Sequence, residues 1–405
     1  MSAPDVTALL AELERSEPEI AEEARTAVEW LTGGEPLESV TQLDVCEFLW
    51  YTLPLKVGPL RADGDHERLA RSLGRLLQLG GLERYAALCV SPTTAQILRT
   101  YAREGEDAGT SAYQKALEAT GVLPPDVPEL QWSMIMGPEE LGAHLACSAA
   151  LELAIVAGEQ MDRVALTRRW LTEARADLGG DSWLNRVHGE RLNRWVLGRG
   201  PARRELAQPF EVRLHAPVSP QPLPALHKLL SLAAREGTLP LRLAPSPAAL
   251  RLRELAEREL GAIRRDGARM VITDHGRRLL ASPEAMWTAV TRLLLAKGEH
   301  EFEVSAREAA LMLLADGTLM SPAKLHERVA EVVGGEGWHP AAGVENVAGP
   351  VSDLVAQLTA LGLAYSDELV VRMDRPGQLA ALAALRAHAL RPRKYVSSGR
   401  PGLTP

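Results

Sequence analysis

The sequence predicts a mainly α-helical protein, with an all-helical N-terminal domain followed by two modules that combine helices with short β-hairpins. Apolar residues recur at helical spacing across residues 1–197, without a strand-like alternation of any length. Proline then becomes frequent across residues 198–224, which predicts a linker. Residues 225–300 and 301–390 each contain helices, a hairpin candidate and a closing helix, and residues 391–405 form a basic tail that we expect to be disordered.

The N-terminal domain begins with amphipathic, strongly acidic helices. Val6, Leu9 and Leu13 lie on one face of the first helix. Within residues 1–50 two aspartates and ten glutamates outnumber two arginines, so this segment has a formal charge of −10 against −8 for the whole chain. We expect the domain to serve assembly or sensing, with a protein partner bound through its acidic helices.

Further along this domain, residues 104–111 predict a polar loop. Pro138 predicts the start of a helix, because proline suits the first turn and the two glutamates that follow suit its positive end. Aromatic side chains concentrate at residues 48–51, where packing in a core is the favoured interpretation. A small-molecule pocket is the alternative. It would be lined by Trp50, Trp132 and Trp170.

The first C-terminal module follows a linker in which residues 210–214 could form one short strand. Its first helix is predicted at residues 226–235, with a possible strand at residues 237–243. A serine and a proline then start a helix over residues 246–260. Residues 263–273 predict a hairpin around an Asp-Gly turn, and a further helix closes the module.

The second module has a similar order of parts. A helix is predicted at residues 305–314, a second begins near Ser321, and a third begins near Gly349 with apolar residues at clean helical spacing. Residues 364–373 are a second hairpin candidate, and residues 378–388 form the closing helix. Both modules therefore have helices, a hairpin and a last helix in the same order along the chain.

This order resembles the winged-helix variant of the helix-turn-helix over about residues 225–390, and most specifically over residues 250–295. Residues 263–280 resemble the wing and exit of such a module, with a basic hairpin followed by the pattern T-x-x-G-R-x-L-L. The N-terminal half is similar to uncharacterised actinobacterial helical proteins, a resemblance that implies no activity. The residues that carry it are Phe48-Leu49-Trp50-Tyr51-x-Leu53-Pro54 and Arg84-Tyr85-Ala86-Ala87-Leu88-Cys89.

The winged-helix resemblance implies binding to duplex DNA, with one helix in the major groove and the wing near the backbone. Phosphate contacts need outward-facing arginine or lysine, and residues 251–278 contain eight arginines against five acids, a formal charge of +3. The predicted nucleic-acid-binding residues are Arg251 and Arg258 on the helix, Arg264, Arg265 and Arg269 on the wing, and Arg277 and Arg278 after it.

The second module is less suited to phosphate. Its third helix has no basic residue among its non-apolar positions, and its hairpin turn is acidic. We therefore expect this module to be structural or dimerising, which predicts a homo-oligomer. The positions concerned are Ser352, Asp353, Gln357 and Thr359 on the helix and Asp367 and Glu368 in the turn.

Signatures of catalysis and of bound cofactors are absent from the sequence. It contains no G-x-x-x-x-G-K-[ST], no G-x-S-x-G, no H-E-x-x-H and no C-x-x-C. His144 and Cys147 lie at i and i+3 and could share a metal, but isolated pairs at this spacing are common on helices, so we expect no metal. The prediction is a non-enzymatic protein without a cofactor.

Compartment is predicted from the cysteines and the apolar segments. The three cysteines are far apart, which favours buried reduced thiols over a disulfide framework. The acidic N-terminus differs from a basic targeting peptide. The most apolar stretch, residues 141–158, includes a histidine and a glutamate and is short for a membrane span. We expect a cytoplasmic protein without membrane contact.

Two functional hypotheses follow. The first is a cytoplasmic regulator that binds DNA through the basic wing of its first module, because that hairpin is positive on an otherwise acidic chain. The second is a protein-interaction or scaffold component whose modules pack against a partner or another copy, which the acidic first 50 residues favour.

Overall fold

The computed structural model places the chain in two compact units. Unit 1 comprises residues 1–187 and 393–405, and unit 2 comprises residues 188–392. The residues that the structure describes are 5–57, 65–159, 162–235, 239–240, 246–267, 269–296, 301–336 and 346–393. Helices dominate both units, so the prediction of a mainly α fold is confirmed.

Unit 1 is built from helices joined by short connections. A short 3₁₀ turn, Leu37–Ser39, and a π-helical segment, Phe48–Val57, lie on either side of its third helix. The helices are α1 (Val6–Ser16), α2 (Pro18–Thr32), α3 (Gln42–Glu47), α4 (Asp65–Leu79), α5 (Glu83–Cys89), α6 (Pro92–Glu104), α7 (Glu106–Thr120), α8 (Pro138–Val156), α9 (Arg163–Thr172) and α10 (Trp183–Leu197), the last of which contains the division between the units.

The aromatic cluster of unit 1 is mainly core. Phe48, Leu49 and Trp50 are buried, and the indole Nε1 of Trp50 donates to Thr94 Oγ1 at 2.7 Å. Thr94 Oγ1 in turn donates to the carbonyl of Leu88, so the one polar atom of this tryptophan is satisfied inside the core. Tyr51, the last residue of the cluster, is exposed.

The three tryptophans of the alternative pocket do not share one core cluster. Trp50 belongs to the main core cluster of unit 1, whereas Trp132 and Trp170 pack against a separate small cluster around Cys147 and Leu171. Helical spacing predicts which face of a helix is buried, but it does not say which helices share a core, and this is why the alternative could not be decided from sequence.

The polar stretch at residues 104–111 is helical rather than a loop. Gly105, with φ of +90°, breaks the chain between α6 and α7, and α7 then begins at Glu106 with two acidic residues in its first turn. Acidic side chains are favourable at the positive, N-terminal end of a helix. The acidic residues that made this segment resemble a loop therefore stabilise the start of α7. Pro138 starts α8 as predicted.

Unit 2 contains the remaining helices and all the described strands of the molecule. Helix α13 is continued by a π-helical turn, Leu255–Glu259. The elements are α11 (Pro201–Ala207), α12 (Pro224–Arg235), β1 (Leu239–Pro240), α13 (Pro247–Glu254), β2 (Ile263–Asp266), β3 (Arg269–Ile272), α14 (Asp274–Ala281), α15 (Pro283–Ala296), α16 (Glu301–Ala315), α17 (Pro322–Gly334), α18 (Ala348–Leu361), β4 (Ala364–Ser366), β5 (Val371–Met373) and α19 (Arg375–Ala389).

The proline-rich segment is packed into unit 2. Phe210 and Leu214 lie in a 3₁₀ turn and the turns after it rather than in a strand, and both are buried in the unit 2 core. Leu223 joins the same core just before α12. The predicted linker over residues 198–224 therefore contributes core side chains, and the division between units falls before it. Of the possible strand at residues 237–243, Leu239–Pro240 forms β1 and the rest lies outside the described residues.

Both predicted hairpins form. In the first, β2 and β3 are antiparallel, Asp266 pairs with Arg269, and Gly267 adopts φ of +59° in the turn. Strand β1 pairs with the other edge of β3, which gives the order β1-β3-β2. In the second, β4 and β5 are antiparallel, and Met320 extends the pairing through a bridge to Val371.

The chain passes from each hairpin into the next helix through the same kind of turn. The side chain of Thr273 accepts from Gly276 N at 3.0 Å, and the side chain of Asp374 accepts from Gly377 N at 2.9 Å. A Cβ on Gly276 would lie 2.0 Å from the carbonyl oxygen of Ala262, and one on Gly377 would lie 1.8 Å from that of Leu363. The helix that follows each hairpin passes close to the residue that precedes the hairpin. A side chain at this point would collide with the backbone, so glycine is required there.

Candidate nucleic-acid interface

The wing arginines are exposed. Arg264, Arg265 and Arg269 all face solvent, and none of them forms an ion pair with a residue that the structure describes. The strand register places these three arginines on two different faces of the hairpin, because paired residues of antiparallel strands share a face. Arg264 pairs with Val271 and Asp266 pairs with Arg269, so Arg264 and Arg269 lie on one face together with an aspartate, while Arg265 lies on the other.

A polar cleft of about 430 Å³ runs along the Arg264 face. Arg264 lines it from the wing, and Arg277 lines it from α14. Two carboxylates, Asp266 and Asp274, also line it, and Arg277 Nη1 donates to Asp274 Oδ1 at 2.6 Å. Both side chains of this pair are exposed, so Arg277 can exchange its aspartate partner for a phosphate.

Helix α14 adds to this exposed surface because of its short amphipathic pattern. Gly276 and Leu279 are buried, so Arg277 and Arg278 project from the opposite side. Arg258 lies elsewhere, in the π-helical turn after α13, where it pairs with Glu254 at 3.0 Å and its side chain is 75% exposed. We name the set Arg264, Arg265, Arg269, Arg277 and Arg278 the wing surface.

Arg251 does not belong to the wing surface. Its side chain is 13% exposed, and its guanidinium donates to Glu259 at 2.6 Å and to Asp353 at 2.8 Å. Burial lowers the pKa of Arg251, but the hydrogen bond to Glu259 and the charge of Asp353 outweigh it and raise the pKa, so the ion is held within the protein. The prediction that Arg251 is available to a phosphate therefore has no support in its position.

The helix that would read the major groove packs on one side against the second module. Helix α13 contacts α18, and its exposed residues, Pro247, Ala249 and Leu250, have no hydrogen-bonding side chain. Asp353 accepts from both Arg251 and Arg307, and Gln357 Nε2 donates to Glu259 at 2.5 Å. The acidic and amide positions of α18, which looked unsuited to DNA, are the partners of the first module.

The second hairpin and the described start of the tail, residues 391–393, offer little to a phosphate. Asp367 accepts hydrogen bonds from the backbone of Leu369 and Val370, and these bonds lower its pKa, so the acidic turn stabilises itself. Arg391 donates to the backbone carbonyls of Leu295 and Arg292. Lys394 and Arg400 lie outside the described residues.

The acidic N-terminal helices are partly neutralised within unit 1. Glu14 pairs with Arg25, and Glu23 pairs with Arg68. Glu17 accepts from Arg75 at 2.5 Å. Arginines of α2 and α4 thus meet acids of the first two helices, and less of the negative charge is left for a partner than the count over residues 1–50 suggests.

The structure gives no support to a metal at His144 and Cys147. His144 packs edge-on against Trp132 with ring centroids 5.0 Å apart, and burial lowers its pKa to about 4. Burial raises the pKa of Cys147 to about 12, so the thiol is held protonated. Among the described residues no group of histidine, cysteine and acidic side chains is arranged to hold a metal ion. All three cysteines are buried and free.

Comparison with known proteins does not add a family. No family model matches the chain, and no curated protein or solved structure matches it. Within the described part of the chain, none of the helices has both the length and the apolar character that a bilayer crossing requires. The wing surface and the packing of the two modules of unit 2 are therefore the features that bear on function.

Proposed function

We propose that the protein is a regulator that binds duplex DNA through the wing surface, by phosphate contacts and without a helix in the major groove. The observation that carries the proposal is that Arg264 and Arg277 line one cleft. Arg269 lies on the same face of the hairpin as Arg264, and Arg265 and Arg278 are exposed as well. The five arginines of the wing surface and the two aspartates beside them, Asp266 and Asp274, have a summed charge of +3 on a chain of −8.

The side chains that α13 presents determine which kind of binding is proposed. Base edges are read by side chains that enter a groove, and phosphate contacts carry no direct sequence information. Arg251 of α13 is paired with Glu259 and Asp353, and the exposed residues of this helix, Pro247, Ala249 and Leu250, have no side-chain donor or acceptor for a base edge. We therefore expect binding with little preference for sequence and with strong dependence on salt.

The test is titration of the full-length protein into two labelled duplexes of equal length and unrelated sequence at low salt. The proposal predicts dissociation constants within about threefold of each other, since phosphate positions are common to both duplexes. The absence of binding to either duplex at low salt contradicts the proposal. Strong preference for one duplex contradicts the inference that α13 makes no base contacts.

A scaffold role is the second candidate, and a specific observation favours it. The helices of the two modules that would read DNA pack against each other through Arg251, Asp353 and Gln357, so unit 2 already uses them for protein contact. In this case the wing surface would meet an acidic protein or a second copy. Light scattering of the pure protein separates the two candidates. A monomer that binds duplex DNA supports the first candidate, and a stable oligomer without DNA affinity supports the second.

A further inference from the structure

Three tyrosines of unit 1 come together from three elements. Tyr51 lies on the π-helical segment, Tyr101 on α6 and Tyr113 on α7, and these elements pack against one another. The ring centroids of Tyr51 and Tyr113 are 5.6 Å apart, with an angle of 36° between the ring planes. The hydroxyl of Tyr101 lies 3.3 Å from Oγ1 of Thr110, which is one turn before Tyr113 on α7. We name these three residues the tyrosine cluster.

The tyrosine cluster is open to solvent. Tyr51 is 40% exposed, and Tyr101 and Tyr113 are half-buried. The hydroxyls of Tyr51 and Tyr113 form no hydrogen bond with a residue that the structure describes. A ligand can therefore reach ring surface here, whereas the indole of Trp50 on the same helical segment is buried in the core.

A carboxylate without a cation adjoins the tyrosine cluster. Glu47 ends α3, which continues directly into the π-helical segment, so Glu47 and Tyr51 lie about one turn apart on one side. Burial raises the pKa of Tyr113, and the nearby charge of Glu47 raises it further. Glu47 is exposed and forms no ion pair with any residue in the described part of the chain.

The surroundings of Glu47 favour a positively charged ligand. Although its side chain is exposed, the neighbouring protein removes part of its hydration, which raises the pKa of Glu47, and the charge of Asp44 adds to the rise. A cation beside the carboxylate would compensate for both effects, whereas an anion would be repelled.

The rings select among cations. The face of a tyrosine ring attracts a cation that lies within about 6 Å of its centroid. A quaternary ammonium group gives up less hydration than a protonated amine, and its methyl groups make apolar contact with the rings. Carboxylate and rings together therefore suit this class of cation better than an inorganic ion or a neutral compound.

We propose that Glu47, Tyr51 and Tyr113 form a binding site for a small quaternary ammonium compound. Its methyl groups contact the two rings, and its charge lies beside the carboxylate of Glu47. Tyr101 supports the site from α6 through its contact with α7. The site belongs to unit 1, and the inference is independent of DNA binding by the wing surface.

The test titrates the full-length protein with tetramethylammonium chloride at constant ionic strength, and with neopentyl alcohol, a neutral compound of similar shape. Binding is followed by NMR of protein with ring-labelled tyrosine, because the chain contains only six tyrosines. We expect saturable shifts of the Tyr51 and Tyr113 rings with tetramethylammonium, and about three- to tenfold weaker binding of the alcohol. Absence of saturable shifts, or equal affinity for the two compounds, overturns the inference.

Two variants and two matched controls make the result specific. Glu47→Gln removes the charge at similar size and should weaken tetramethylammonium about three- to tenfold while the alcohol is unchanged. Tyr51→Leu removes a ring face and should weaken tetramethylammonium by a similar factor. Glu118→Gln, at an exposed position of α7, and Tyr365→Leu, at an exposed position of unit 2, should leave its affinity unchanged. The inference is overturned if Glu47→Gln binds tetramethylammonium as well as the wild type does, or if Tyr365→Leu weakens it as much as Tyr51→Leu.

Discussion

Arg251 of α13 donates through Nη2 to Asp353 Oδ1 of α18 at 2.8 Å, and this pair joins the two modules of unit 2. Each partner has a second ion: Arg251 also contacts Glu259, and Asp353 also contacts Arg307. Residues 102 positions apart in the chain thus form one charge cluster. The cluster keeps α13 against α18, and so leaves the wing surface as the candidate region for nucleic acid.

We predict that Arg251→Ala lowers the free energy of unfolding by about 3 kcal/mol, because the carboxylate of Glu259, which is 1% exposed, loses its buried cation. The measurement is urea unfolding of the full-length protein. Arg258→Ala is the matched control. Its pair with Glu254 is exposed, so we expect a change of less than about 1 kcal/mol. Equal effects of the two substitutions would contradict the cluster.

The exit turns of the hairpins give a second prediction. Gly276→Ala and Gly377→Ala should each destabilise unit 2 by several kcal/mol, on the order of the largest single-residue effects, because the new Cβ meets a backbone carbonyl that has no freedom to rotate away. The melting temperature measured by calorimetry reports the loss.

Gly189→Ala is the control for these two variants. Gly189 lies inside α10, and a Cβ there would meet nothing within 4 Å. Alanine has the higher helix propensity, so this change should raise the stability by about 1 kcal/mol. If all three glycine variants behaved alike, the shared exit turn would have no role in packing.

The third prediction concerns pH and unit 1. Burial lowers the pKa of His144 to about 4 from an ordinary value of 6.5, although Glu140 acts in the opposite direction. Below pH 6.5 the unfolded chain binds a proton at this histidine, whereas the folded chain binds it only near pH 4, so the free energy of unfolding falls by about 3 kcal/mol as the pH is lowered to 4. Titration of the His144 ring by NMR checks the pKa, and a midpoint near 6.5 would contradict it.

Local features of unit 2 could be predicted from the sequence, and contacts between elements could not. The turn at Asp266-Gly267 needs a positive φ, which Gly267 supplies, so the hairpin follows from its own residues. The pairing of Arg251 with Asp353 depends on how two distant helices pack, and nothing near either residue indicates its partner. An arginine on a helix predicts a phosphate contact only where that face is exposed.

The structure of segments with unusual composition is hard to predict for the same reason, because it depends on contacts between elements. The prolines around Phe210 exclude a long helix, but they do not prevent short turns from placing Phe210 in a core. The acids after Gly105 are polar in sequence and favourable at a helix start, so composition alone did not distinguish a loop from α7. In both segments the final structure depends on tertiary packing.

The central claim is that the wing surface binds DNA through phosphates, and the salt dependence of Arg264→Ala/Arg269→Ala, two arginines on the same face of the hairpin, tests it most directly. Each lost phosphate contact should reduce the slope of log affinity against log salt by about 1, so the double variant should lose about 2 units of slope and bind all duplexes more weakly. Lys324→Ala/Arg328→Ala removes two exposed cations of α17 that pair with Glu327 and Glu331, and should leave the slope unchanged. A wild-type slope near zero, or equal slopes for the wing variant and the wild type, would contradict the claim.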